Sequence, residues 1–296
     1  MRTLLLHNPT AGASHPNERD LLRQLEATGL SPTYQSIKDE NYKSVLNETW
    51  DLVIVAGGDG TVEKAVRALH NLNVLLAILP IGTANNIARA LGLSVDAEAL
   101  IPRLNAAAPR DLDIGLARGP WGKRRFLEAI GFGAIAAAIS ASGPKPPKPL
   151  RIDNGREDLQ AILHEAEPER FKINIDGEVF AGDFLFVEIL NLSHTGPALP
   201  ISFTAEPGDR LLDVVFLFES DRKRMSAWLS NPDDLPPPVT TRKGVRISLK
   251  WEQGHARVDD RVYLPPASAT TIKIELEKKS LRVLVPDLSG TVSRAG

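Results

Sequence analysis

Residues Asp51 to Thr61 read D-L-V-I-V-A-G-G-D-G-T, an apolar run that feeds directly into a glycine-rich turn. A short, continuously apolar segment bounded by glycines has the pattern of a parallel strand buried on both faces. Val62, Ala65, Val66 and Leu69 follow at helical spacing. Gly57, Gly58 and Gly60 free the backbone for a tight turn and leave the main chain open to a ligand. The first turn of the following helix presents unpaired N–H groups and the positive end of the helix dipole, which together suit a phosphate. Asp59 is the one carboxylate in that bare turn, placed to meet a magnesium ion or a hydroxyl proton. The turn is neither a Walker loop, which would continue with Gly-Lys-Ser/Thr, nor a G-x-G-x-x-G fingerprint.

The same punctuation occurs twice more. Arg2 to His7 is a strand candidate ending at Asn8-Pro9-Thr10-Ala11-Gly12, and Val74 to Leu79 is another, ending at Pro80-Ile81-Gly82-Thr83-Ala84-Asn85. Helical patterns at Asn17 to Thr28, Lys38 to Thr49 and Thr61 to Leu72, with a strand at Ser31 to Ile37, complete an alternation of strands and helices. That alternation predicts an α/β domain with a doubly wound, Rossmann-like parallel sheet. Ligands bind beyond the carboxyl ends of such strands, so the loops at Asn8, Gly57 and Gly82 are expected to converge on one crevice.

A chain of 296 residues is long enough for two domains. The formal charge of −2 favours neither nucleic acid nor an anionic membrane through bulk electrostatics. No cysteine is present, so disulfides and thiol chemistry are excluded. The N-terminal apolar run is too short for a signal peptide, and no stretch reaches the roughly 20 apolar residues of a membrane span. The expectation is a cytoplasmic protein with at most peripheral membrane contact. A homodimer is left open.

Asn8-Pro9-x-x-Gly12, Gly57-Gly58-Asp59-Gly60-Thr61 and Leu79-Pro80-x-Gly82-Thr83-x-Asn85, followed by Ala88-Arg89-x-Leu91-Gly92, resemble the catalytic domain of diacylglycerol kinases and related bacterial lipid kinases, a family that includes sphingosine kinases. NAD kinases share the glycine turn, whereas the Gly-Thr-x-Asn element resembles the lipid kinases. The resemblance implies an ATP-dependent lipid kinase whose acceptor is a lipid hydroxyl such as that of diacylglycerol. It implies that Asn8, Pro9, Gly12, Gly57 to Thr61, Gly82, Thr83 and Asn85 hold the nucleotide, and that Asp59 and Asp113, the latter in Arg110 to Gly115, lie near Mg2+ and phosphates. It further implies a nucleotide domain over 1–118, with a tail at 286–296 packing back on it, and a lipid-substrate domain over 119–285.

From Phe171 onward strands dominate, at Phe171 to Ile175, Phe184 to Leu190, Leu212 to Phe218, Val245 to Lys250, His255 to Val258, Thr271 to Leu276 and Leu281 to Val285. Short strands with turns between them predict an antiparallel, sandwich-like second domain. Arg156 to Glu167 reads as a helix. The proline-rich Ser142 to Leu150 reads as an exposed loop. Asp176-Gly177-Glu178 reads as a hairpin turn, since Asp-Gly between alternating strands is the ordinary hairpin signal.

Three positions depart from the family pattern. Asn86 stands where the family carries an acid, which removes charge that helps hold a metal. Val258-Asp259-Asp260-Arg261 stands where the family carries Asp-Gly-Glu, so an arginine that cannot accept a proton occupies the place of the expected general base. Asp259 or Asp260 is then left for that role. Asp209-Arg210-Leu211-Leu212-Asp213 resembles the family's metal-associated segment, with Arg210 in place of a glycine and Asp209 as a metal candidate. These departures keep a non-catalytic lipid- or nucleotide-binding relative open beside the kinase, and NAD kinase remains a further alternative.

Overall fold

The structure is a computed structural model that describes residues 1–11, 16–93, 96–141, 150–232 and 235–288. Gly12, residues 142–149 of the proline-rich loop and the tail beyond 288 lie outside the described residues. The chain forms two compact units, Met1–Leu112 with Ser280–Gly296, and Asp113–Lys279.

The first unit alternates β1 (Thr3–His7), α1 (Glu18–Glu26), β2 (Thr33–Ser36), α2 (Tyr42–Leu46), β3 (Leu52–Gly57), α3 (Asp59–Ala68), β4 (Leu75–Pro80), α4 (Asn86–Ala90), α5 (Ala97–Leu100) and β5 (Ala108–Leu112). The last strand of the chain, β17 (Leu281–Val285), completes its sheet in the order β2-β1-β3-β4-β17-β5. All neighbours are parallel except β5, which runs antiparallel to β17. β1 and β3 are fully buried, as their unbroken apolar runs require. The chain leaves β1 for β2 on one side and later passes from β3 to β4 on the other. The topological switch therefore lies between β1 and β3, where a doubly wound sheet opens its ligand crevice.

Two helices differ from the sequence expectation. The 38–49 helix shrinks to α2, because the Gln35 amide binds Asp39 and Asn41 and holds the preceding residues in a turn. α3 starts at Asp59, because Gly58, extended at φ −93° and ψ −175°, is its N-cap. Asp59, Gly60 and Thr61 thus form the helix's first turn.

The second unit contains β6 (Gly115–Gly119), β7 (Gly122–Phe126), β8 (Ala129–Gly133), α6 (Ala134–Ala141), α7 (Arg151–Glu165), β9 (Glu169–Ile175), β10 (Glu178–Leu190), β11 (Leu212–Phe218), α8 (Arg222–Leu229), β12 (Thr240–Gly244), β13 (Arg246–Trp251), β14 (Ala256–Val258), β15 (Arg261–Tyr263) and β16 (Thr270–Leu276). These strands pair antiparallel throughout, and they belong to one continuous sheet in place of two separate ones. Its two end strands approach each other, since Trp121 beside β7 packs on Tyr263 of β15 with ring centroids 4.5 Å apart. One core is therefore enclosed by the sheet itself, with Phe132, Phe171, Leu249, Trp251 and Ile274 in it. A second core lies under the helices, where Ile135, Leu159, Leu163 and Trp228 meet Leu185 and Val215.

The division of the chain differs from a cut at residue 118. The segment Arg110 to Gly115 spans the boundary: β5 ends at Leu112 in the first sheet, and β6 begins at Gly115 in the second. β17 likewise pairs with β4 and β5 in the first sheet, outside the second unit. Asp176 and Gly177 form the two-residue turn of the β9–β10 hairpin, with φ of 51° and 101°, as Asp-Gly at that spacing predicts.

Candidate active site

In the first unit, three loops leave the carboxyl ends of β1, β3 and β4 and touch one another. Asn8 donates its side-chain amide to the Thr61 hydroxyl at 3.0 Å, tying the β1 loop to the first turn of α3. The Asn8 carbonyl oxygen of the side chain accepts from the Thr10 amide and hydroxyl, which fixes the loop around Pro9. Between β3 and β4 the contact is main chain on main chain. A Cβ placed on Gly82 would stand 2.4 Å from Gly58 Cα, and one placed on Gly58 would stand 2.9 Å from Gly82 Cα. Any side chain at either position would part the loops, so both must be glycine.

Asn85 closes the third loop. Its backbone is left-handed (φ 51°, ψ 44°), which asparagine tolerates, and its side chain accepts from the Gly82 amide at 3.0 Å. Asp59 then joins the two glycine loops: its Oδ1 accepts the Ile87 amide at 2.9 Å, in the first turn of α4. Asp59 is thus at once the first residue of α3 and an acceptor for the start of α4. Asn86, the position where an acid is expected, is buried beside it as the first residue of α4. A carboxylate buried there would carry a desolvation cost that the amide avoids.

The carboxylates of the second unit are engaged by the chain itself. Asp113 lies between β5 and β6 and is buried. It accepts the Arg210 amide at Oδ2 and the Arg210 guanidinium at Oδ1, both at 2.8 Å. Arg210 has φ 64°, the left-handed conformation that glycine adopts most easily. Asp209 pairs with Lys243 at 3.1 Å, and Lys243 also reaches Asp213 at 3.5 Å. Burial works against the Lys243 charge, but Asp209 and Asp213 outweigh it and hold its pKa above the ordinary value.

Asp259 and Asp260 form the turn of the β14–β15 hairpin. Asp259 is buried, with φ 50°, and its carboxylate receives the amides of Leu127, Glu128 and Ala129 at 2.9 to 3.3 Å. That is a structural clamp between β8 and the hairpin. Asp260 and Arg261 are exposed beside it. Among the described residues no three His, Cys, Asp or Glu side chains converge as a metal site.

One polar cluster escaped the sequence reading. Arg257, fully buried, grips Glu188 with two bonds of 3.2 and 2.7 Å and reaches Glu128 at 3.4 Å. Glu128 also accepts the Thr195 hydroxyl and the Gly196 amide. Burial pushes the Glu188 carboxyl up, against the pull of Arg257. The signal was a single acid inside the apolar run Phe184 to Leu190. Gly131 provides the space, because a Cβ there would stand 2.0 Å from Glu188 Oε1.

The described residues contain no helix long and apolar enough to cross a membrane. Comparison with known proteins matches residues 2–117 to the diacylglycerol kinase catalytic domain. A Pseudomonas aeruginosa protein named as a YegS-like probable lipid kinase is 30% identical over 252 residues, spanning 79% of this chain and 76% of that one. The fold is shared with a solved Bacillus anthracis diacylglycerol kinase (TM-score 0.71, 20% identity, 98% of each chain). It is shared more distantly with yeast NADH kinase solved with NADH (TM-score 0.60, 10% identity, 100% of this chain and 90% of that one). The loops that meet around Gly58, Asp59 and Gly82 thus belong to a recognised fold and sequence type, and the chain is a member of the diacylglycerol kinase catalytic-domain family, which includes the YegS-like lipid kinases.

Proposed function

We propose that this protein is an ATP-dependent lipid kinase that transfers the γ-phosphate to a lipid hydroxyl, such as that of diacylglycerol. The observation that carries the reading is the contact of Gly58 with Gly82 and the placement of Asp59 across it. Two loops that meet glycine on glycine bring main-chain amides and two helix starts together, a surface that fits a polyphosphate. In this reading the Gly57 to Thr61 turn, Gly82, Thr83 and Asn85 hold the phosphates, and Asn8 and Pro9, on the first loop, border them.

Asp59 fits a magnesium ion bound mostly through phosphate oxygens and water, since that ion commonly takes only one or two protein carboxylates. When bound, the ion neutralises phosphate charge. Asp113 and Asp209 are read as holding Arg210 and Lys243, which already supply positive charge at those carboxylates. Asp259 positions the hairpin, and Asp260 would be the candidate to take the proton that an acceptor hydroxyl gives up when its oxygen bonds to phosphorus and ADP leaves. Phosphoryl transfer depends mainly on alignment and charge neutralisation, so a weak base slows it without abolishing it. Loss of a general base costs about 10²–10⁴-fold.

A second reading, a binding relative that has lost transfer, is favoured by the Arg210–Asp113 ion pair and by Arg261. Incubation with radiolabelled ATP and magnesium against dispersed diacylglycerol, a sphingoid base and NAD separates them. Label in a lipid supports the kinase. Nucleotide binding without label in any acceptor supports the second reading, and label in NAD alone overturns both.

A further inference from the structure

The enclosed core of the second unit has an outer side whose charge departs from that of the chain. Along β9, β13 and β16, buried residues alternate with outward ones. Asn174 opposes Ser248, Ser248 opposes Lys273, Lys273 opposes Arg118, and Arg118 opposes Lys123, so these side chains form one row across five strands. Lys172, Arg246 and Lys250 stand one pleat away on the same face. Lys172, Arg246, Lys250 and Lys273 are exposed, and no ion pair holds them among the described residues.

Arg118, Lys123 and Arg125 are also present, balanced in part by Glu275 and Glu277. The Asp176 carboxylate at the rim is occupied by the Val245 and Arg246 amides. A groove of about 470 Å³ crosses the face between Asn174, Arg246, Ser248, Lys273 and Arg118. A solvated sheet face in a chain of net charge −2 would be expected to mix its signs evenly. This one concentrates unpaired cations on a continuous, open surface.

We propose that the outward face of β9, β13, β16 and β6 docks the protein on an anionic lipid bilayer. The inference rests on the lipid-kinase reading for its choice of occupant, because the acceptor of a lipid kinase sits in a membrane. Charge complementarity supplies the rest: unpaired lysine and arginine heads near an anionic headgroup layer add attraction with each charge, and salt screens it.

The test uses the full chain without ATP. Sedimentation with phosphatidylglycerol–phosphatidylcholine vesicles is compared with pure phosphatidylcholine vesicles, for the wild type and for K172Q/R246Q/K250Q/K273Q. A control variant, K38Q/K43Q/K64Q/K223Q, removes equal charge from exposed positions elsewhere. Expected are binding to anionic vesicles only, loss of that binding with rising salt, and a fall of more than about a hundredfold in the face variant, at roughly fivefold per charge. The control variant should keep most of the binding. Transfer to detergent-dispersed diacylglycerol, measured in parallel, should be the same in the face variant and the wild type.

Equal binding to neutral vesicles, equal loss in both variants, or binding of a duplex oligonucleotide in preference to vesicles would each overturn the docking surface. Absent vesicle binding with intact transfer overturns the docking surface and leaves the kinase reading standing. Vesicle binding lost only in the face variant, with no transfer by any form, supports the docking surface and counts against the kinase reading.

Discussion

The Asp59 carboxylate accepts the Ile87 amide at 2.9 Å, joining the first turn of α3 to the first turn of α4 across the contact between Gly58 and Gly82. The residue placed to meet phosphate-bound magnesium is thus also a helix cap, and two substitutions divide the roles. Asp59→Ala removes both and should cost about 0.5–2 kcal/mol of stability. Asp59→Asn keeps an acceptor for Ile87 and should stay within about 0.5 kcal/mol of the wild type in urea unfolding. A large loss in the asparagine variant would show that the negative charge itself holds the two helices.

Arg210 lies in a left-handed conformation and supplies the charge that balances buried Asp113. Arg210→Gly relieves the backbone by about 1 kcal/mol and removes the guanidinium from a carboxylate that cannot reach water. The guanidinium is partly exposed, so a net loss of about 1–3 kcal/mol is expected from thermal or urea melts. Unchanged stability would show that the Arg210–Asp113 pair contributes nothing net to the fold.

Arg257 balances Glu188 and Glu128 inside the second unit. Arg257→Met should cost about 3–5 kcal/mol, because two carboxylates then remain buried without a cation. Arg257→Met combined with Glu188→Gln should recover part of that loss, and a double-mutant cycle on urea midpoints measures it. Strict additivity would contradict the pairing.

Glu169 is half-buried, its pKa pushed up to about 7 by burial, and its Oε2 has no hydrogen-bond partner among the described residues. The unfolded chain releases this proton near 4.5 and the folded chain near 7. The folded state therefore binds more protons between those values, and stability falls as pH rises through that window. Glu169→Gln should flatten the fall, gaining on the order of 1 kcal/mol relative to the wild type at pH 8 after allowance for solvent. The comparison is of urea midpoints at pH 5 and pH 8. Parallel curves would show that the group titrates as an ordinary surface acid.

The identity of β1, β3 and β4 was legible, because buried parallel strands are continuous apolar runs and each of these ends in a glycine, asparagine or proline turn. The convergence of the Asn8, Gly57 and Gly82 loops followed from strand order alone. What local sequence hides is pairing across distance. The placement of β17 beside β4 is set by a partner some two hundred residues away. The start of α3 at Asp59 depends on the extended conformation of Gly58, which glycine permits but does not dictate. Arg210 read as a lost glycine, and only the structure shows its guanidinium on Asp113. Asp259 looked like a spare base, yet three amides occupy it, which a turn sequence cannot reveal.

Arg261 is exposed at the hairpin next to Asp260. If this hairpin faces the acceptor, Arg261→Glu should raise the transfer rate, by up to about 10²-fold, the lower end of what a general base contributes. A rate equal to or below the wild type would take the hairpin out of the chemistry.

The central claim is that the glycine-rich turn after β3 handles the transferred phosphate through Asp59. The most direct measurement is the initial rate of label transfer from [γ-³²P]ATP to detergent-dispersed diacylglycerol in magnesium, for the wild type and for Asp59→Asn, with both shown to be folded by their melting curves. The account predicts a labelled phospholipid from the wild type and a fall of at least about 10³-fold in the variant, in line with removal of a metal-side charge from a phosphoryl-transfer site. Transfer by Asp59→Asn at the wild-type rate would contradict it.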